Sequence, residues 1–295
     1  MKISYARRKD CCNPAHLSNP DFSSNTVRAK YIALAFFASG ALSSHVLAQN
    51  TPAARIDVSD FPAQMVEEVV VPVPSEVFTV LNKLGAPDWN SELRPMESIE
   101  LGDRPHIALL LGTVIADGFL SVQAEDSERV KDVGREVLRL AGAIGVRDSV
   151  VRRSKSIIEA ADTRDWQVVK VELDKALQDV RGAMIELNDE ELAQLVSLGG
   201  WLRGTETLTS IVRKTFSEDA SELLHQPLLV EYFERRLGGL SEPLSSNELV
   251  HDIRAGLDEI RPHIMIDENQ AISAEAVENI HATTSRLINR ITRRS

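Results

Sequence analysis

Residues 106–124 read HIALLLGTVIADGFLSVQA, and the pattern of this stretch decides the fold class. Ile107 to Ala116 is apolar apart from Gly112 and Thr113, and the run then meets one carboxylate, Asp117. An uncharged run of this length is short for crossing a bilayer and suits a helix buried in a protein core. Wound as a helix, the stretch separates into faces. Ala108, Gly112 and Ala116 recur every fourth residue, a ridge of small side chains that lets a second helix come close. Leu111, Val114, Ile115, Gly118 and Val122 make a broader apolar side, and His106, Thr113, Asp117 and Ser121 line up as a narrow polar stripe, with Leu110 among them. Two readings of the stripe compete. In one it touches solvent and Asp117 is hydrated. In the other Asp117 is buried, and an ionised carboxylate in apolar surroundings then needs an arginine partner or a raised pKa. A buried, perturbed carboxylate is a candidate for a functional site, although structural ion pairs perturb pKa values too.

The partner for this helix is sought in Gly199-Gly200-Trp201-Leu202-Arg203-Gly204. Glycine inside a helix costs about 1 kcal/mol against alanine, so three of them need a reason. Close crossing supplies one: Gly200 and Gly204, one turn apart, receive the Ala108–Gly112–Ala116 ridge. The alternative is a break in the helix that offers backbone amides to a ligand. No phosphate-loop or dinucleotide spacing surrounds these glycines, which favours packing. Trp201 reads as a core or interface residue rather than a cofactor stacker, and Arg203 as the partner of Asp117. A ligand site in this region would draw on Asp117, His106, Trp201 and Arg203.

Helical periodicity continues throughout the C-terminal two-thirds of the chain. Helix starts fall near residues 105, 127, 148, 164, 189, 227, 246 and 273, at spacings too unequal for a TPR-like or HEAT-like array. Ser245-Ser246-Asn247-Glu248 is a capping-box signature, and Pro262 is expected to end or kink the helix that follows it. Heptads extend over single helices only, which predicts an all-α, irregular bundle of about eight helices over residues 105–295. Aromatic residues are 5% of the chain, so the core is built from Leu, Val, Ile and Ala, as helix-on-helix packing allows.

The N-terminal part reads differently. Arg28 and Lys30 precede an apolar run, Tyr31 to Ala38, and Val46-Leu47-Ala48 has the small-residue pattern of a signal-peptidase site. Residues 1–48 are therefore expected to be a signal peptide cleaved before Gln49, with Val27 as an alternative start of translation. An uncleaved membrane anchor is the weaker alternative, because Ser39, Gly40, Ser43 and Ser44 interrupt the run. Residues 49–104 read as a proline-rich arm, extended over Val69–Pro74 and helical over Glu76–Leu84.

Charge and cysteine usage exclude several functions. The net charge is −11, and the residues after the basic N-terminal stretch are more acidic still, which disfavours a nucleic-acid partner. Cys11 and Cys12 are the only thiols, so disulfides, thiolate metal sites and a cysteine nucleophile are absent from residue 13 onward. His106, His225, His251, His263 and His281 show no metal-binding spacing, and there is no G-x-S-x-G. Arg152–Arg153 and Arg235–Arg236 read as charged helical faces. No cofactor and no catalytic constellation are expected. The reading is an exported, soluble, acidic protein of the periplasm or cell envelope, without a membrane span after signal cleavage. It acts as a binding or scaffold module toward another envelope protein. The alternative is a small-ligand receptor or enzyme with its site near Asp117 and Gly199–Gly204.

Overall fold

Four consecutive turns between helices share one construction, and it sets the course of the chain. Helix α1 (Arg104–Gln123) begins at Asp103, whose side chain accepts a hydrogen bond from the His106 amide at 3.0 Å, with Pro105 in its first turn. It ends where Glu125 takes a left-handed conformation (φ 54°) and the Asp126 amide reaches back to the Ser121 carbonyl at 3.0 Å. This is a Schellman ending, in which orphan carbonyls of the last turn find donors just beyond it. The same backbone pattern recurs at Gly145, Arg164 and Asn188 (φ 89°, 56° and 59°). There the amides of Val146, Asp165 and Asp189 reach the carbonyls of Ala141, Ala160 and Met184 at 2.8–2.9 Å. Each turn leads directly into the next helix: α2 (Ser127–Ala143), α3 (Arg147–Asp162), α4 (Trp166–Glu186) and α5 (Glu190–Lys214). Asp126 and Asp165 also cap their helices through the side chain. Connections this short fold successive helices back on one another.

The structure is a computed structural model and describes residues 64–66, 69–71, 87–95, 101–267 and 270–293. All of these belong to the second of two contact units, Pro52–Ser295. The expected signal peptide, its cleavage before Gln49, the alternative start at Val27 and the short helix 76–84 lie outside the described residues. After α5, a single helical turn (Glu218–Ser221) leads to α6 (Pro227–Gly238), α7 (Glu248–Ile264) and α8 (Ala274–Thr292). Two three-residue strands, β1 (Gln64–Val66) and β2 (Val69–Val71), pair antiparallel with Met65 opposite Val70. The architecture is an all-α multi-helix bundle.

Helix α1 is its hub. It touches α2, α4, α5, α7 and α8, and its most extensive contact is with α5. On one side α2, α3 and α4 follow in chain order; on the other α8 packs on α5, α7 on α8, and α6 on α7. The outer helices are amphipathic, and Val130, Val133, Val137 and Leu140 of α2 all turn inward. In α1 every residue from Pro105 to Val122 is buried, so no face is left for water. Its 20 residues reach about 30 Å, longer than the run of apolar residues alone suggests, and it is long and apolar enough to cross a membrane. Here other helices, not lipid, enclose it.

Several expectations are corrected. The polar stripe of α1 does not face solvent. Thr113 and Ser121 are fully buried and donate to carbonyls of their own helix, Leu109 at 2.9 Å and Asp117 at 2.8 Å. Pro262 lies inside the last turn of its helix: α7 stops two residues later at Ile264, and the Met265 amide closes the end on Arg261 at 2.8 Å. α4 starts at Trp166, capped by Asp165, two residues after the expected start near 164, since the turn at Arg164 delays it.

Candidate functional site

The α1–α5 crossing is built on glycine. A methyl group placed on Gly112 would overlap the Val196 carbonyl, and one placed on Gly199 would overlap the Leu109 carbonyl. Side chains cannot separate the two backbones here without pushing the helices apart. At Gly200 the nearest atom, the Gly112 carbonyl oxygen, is at an ordinary 3.4 Å, and Gly204 has open space around it. The tight pairing is thus Gly112 with Val196 and with Gly200, whose backbone nitrogen a methyl on Gly112 would also crowd, and Gly199 with Leu109; of the expected Gly200–Gly204 receptor, Gly200 takes part and Gly204 does not. α5 is continuous through these glycines, so their amides are spent within the helix and none is offered to a ligand.

Asp117 lies on the same helix pair, little more than one turn beyond Gly112. It is 6% exposed, and Arg203 of α5 is 3% exposed. The Arg203 Nε–H donates to Asp117 Oδ1 at 2.7 Å, and Arg94 pairs with Oδ2. Arg203 is fully engaged: Nη1 donates to Glu206 Oε2 at 2.8 Å and Nη2 to the Glu92 carbonyl at 2.6 Å. Glu206 in turn accepts from Ser285 Oγ of α8 at 2.9 Å. Arg129 of α2 donates to the Arg94 carbonyl, and Lys214 of α5 pairs with the Glu92 carboxylate and donates to Ser91 Oγ at 2.9 Å. The cluster therefore joins α1, α2, α5 and α8 to the segment 87–95, whose 3₁₀ turn Trp89–Glu92 carries a buried Trp89.

Burial by itself would raise the pKa of Asp117. The charges of Arg94 and Arg203, with their hydrogen bonds, outweigh it and hold the carboxyl below its ordinary value. Burial likewise works to lower the pKa of Arg203, and Asp117 and Glu206 overcome it. Both groups stay ionised and face each other. A carboxylate of lowered pKa with a guanidinium on each oxygen is a poor proton acceptor, so Asp117 is an anchor and not a general base.

The four sequence candidates divide into two pairs. Asp117 and Arg203 meet. His106 does not join them: it lies about three turns away on α1. Its Nδ1 accepts from the Gly102 amide at 3.1 Å and its Nε2 donates to the Ile291 carbonyl at 2.7 Å, which ties the start of α1 to the end of α8. Trp201 is also elsewhere. Its indole N–H donates to Gln226 at 3.1 Å and its ring lies 5.3 Å from that of Phe233, linking α5 to α6. Sequence reasoning missed Arg94, Glu92 and Arg129, which lie far from Arg203 along the chain. Glu206 was accessible to it, as an acid three residues from Arg203 on one helix face. The paired arginines also have partners within the chain. Arg153 of α3 pairs with Glu172 (3.1 Å) and Asp179 (2.8 Å) of α4, and Arg236 lies over the Tyr232 ring at 5.3 Å. Among the described residues, no three His, Cys, Asp or Glu side chains gather to hold a metal ion.

No family model, curated protein or solved structure matches this chain.

Proposed function

We propose that this chain is an exported binding or scaffold module of the periplasm or cell envelope, working through its rigid helical body toward another envelope protein. Export rests on the basic, apolar, small-residue order of Arg28 to Ala48. One observation carries the choice of binder over enzyme. The only carboxylate of the central helix has both oxygens taken by arginines of the same chain, which makes it a lock between segments. One observation favours the alternative, a small-ligand receptor beside Asp117: among the described residues, Arg94 Nε is buried without a hydrogen-bond partner and would suit an anionic ligand.

Chemical crosslinking in intact cells, followed by mass spectrometry, tests the proposal. The expected result is a defined protein adduct on a mature chain that begins at Gln49. A mature mass that retains Tyr31–Ala48 would remove the cleavage claim and favour the uncleaved anchor. A small anion that raises the melting temperature of the wild type, but not of Arg94→Ala, with no protein adduct in cells, would replace the binder by the receptor.

A further inference from the structure

The segment 87–95 is held on the body as a bound peptide would be. Its main chain is read by side chains from two helices, Arg203 on the Glu92 carbonyl and Arg129 on the Arg94 carbonyl. Its charged side chains meet complementary charges, Arg94 on Asp117 and Glu92 on Lys214. Trp89 is its buried apolar anchor, and Leu93 packs beside it against the core. Of its own regular structure it has only the one turn, with Ser91 bonded back to Asp88 and Leu93 to Asn90.

The body side of this contact loses bonds without the segment, at Asp117 Oδ2, Arg203 Nη2, Arg129 and Lys214, but keeps its central ion pairs. Asp117 still has Arg203, and Arg203 still has Glu206, itself held by Ser285. Departure of the segment would leave no buried charge without a partner. The apolar crossing at Gly112 and Gly199 is made by Val196, Gly200 and Leu109, with no atom of the segment in it. The groove is thus preorganised, which is the condition for binding a segment without refolding the receptor.

We infer that the groove formed by Asp117, Arg129, Arg203 and Lys214 is a peptide-recognition site. Its partner is a segment of another protein presenting a large aromatic residue, an acid three positions on and an arginine two beyond that. Residues 89–94 fill it in cis. The inference rests on the binder reading above and names its surface. Eight residues separate Pro95 from Arg104 in the sequence, so the internal segment competes at an effective concentration on the order of millimolar. A partner gains access when that contact is weakened or when it binds better than this.

The test uses the full chain and a fluorescent synthetic peptide of residues 87–95, followed by anisotropy. Wild type is expected to bind it only near millimolar concentration. The Arg94→Ala chain, whose own segment is weakened, is expected to bind at least tenfold more tightly. The added Arg129→Ala change in that chain, or Trp89→Ala in the peptide, is expected to remove the gain. If Arg94→Ala is folded by circular dichroism yet binds the peptide no better than wild type, the inference is overturned and residues 87–95 are simply part of the fold. A wild-type chain that runs as a dimer, and that the peptide dissociates, would overturn the choice of a foreign partner in favour of a second copy. The two readings fail separately: a cellular adduct without peptide binding removes the groove, and peptide binding without a cellular adduct removes the scaffold role.

Discussion

Two contacts along the same pair of helices hold α1 to α5 by opposite means. Around Gly112 and Gly199 the backbones approach until no side chain fits between them, and the attraction is dispersion between close-packed atoms. At Asp117 and Arg203 the helices are joined by charge, deep enough that water does not share the bond. The first contact is intolerant of volume and indifferent to pH. The second depends on ionisation and recruits a third segment through Arg94. The difference teaches that one helix can be both a steric hub and an electrostatic one, provided the two roles occupy different turns.

Bulk at the crossing is the hardest test of this contrast. Side-chain overpacking costs about 1–3 kcal/mol, and more where the obstacle is a backbone carbonyl that cannot swing away. Gly112→Leu should therefore leave little folded protein at 37 °C, as read by circular dichroism. Full folding of that variant would show that the helices do not meet as closely as described.

The electrostatic contact should respond to charge instead. Asp117→Asn removes the carboxylate that Arg94 and Arg203 share and leaves the buried Arg203 with Glu206 alone, and the loss should be about 3 kcal/mol in urea unfolding. The carboxyl titrates below its ordinary 3.8, so its contribution is complete above that pH and is lost as pH falls through the lowered value. The stability gap between wild type and Asp117→Asn should accordingly close in acid. A gap that persists at low pH would mean that Asp117 acts by shape and not by charge.

The smallest expected effect lies in the turns. Arg164 holds a left-handed conformation, which an L side chain other than glycine adopts at a cost of roughly 1 kcal/mol. Arg164→Gly should raise the unfolding free energy by up to about 1 kcal/mol in the same assay. A gain of similar size is expected from Gly204→Ala, where the space around the residue is open and alanine is the better helix former. A destabilised Gly204→Ala would mean that the crossing extends one turn further than described.

Much of this molecule is determined by the sequence alone, because periodicity and capping are local. The faces of α1, the inward valines of α2, the small-residue ridge and the start of each long helix follow from which side chains recur every three or four residues. Arg203 as the mate of Asp117 was also legible, since a buried carboxylate demands a guanidinium and few stood near small residues. Tertiary structure alone decided the rest. That Gly112 meets Val196 and Gly200 while Gly199 meets Leu109, and that Gly204 is left out, depends on the axial shift between two helices, which no single helix encodes. The left-handed turns at Glu125, Arg164 and Asn188 escape notice because their residues carry no glycine signal, and the packing of the flanking helices imposes that backbone. Arg94 and Glu92 join the cluster only because the chain folds back over α1, a contact between residues remote in sequence. His106 shares the stripe of Asp117, yet the bundle carries it to the far end of the helix, where the end of α8 claims it.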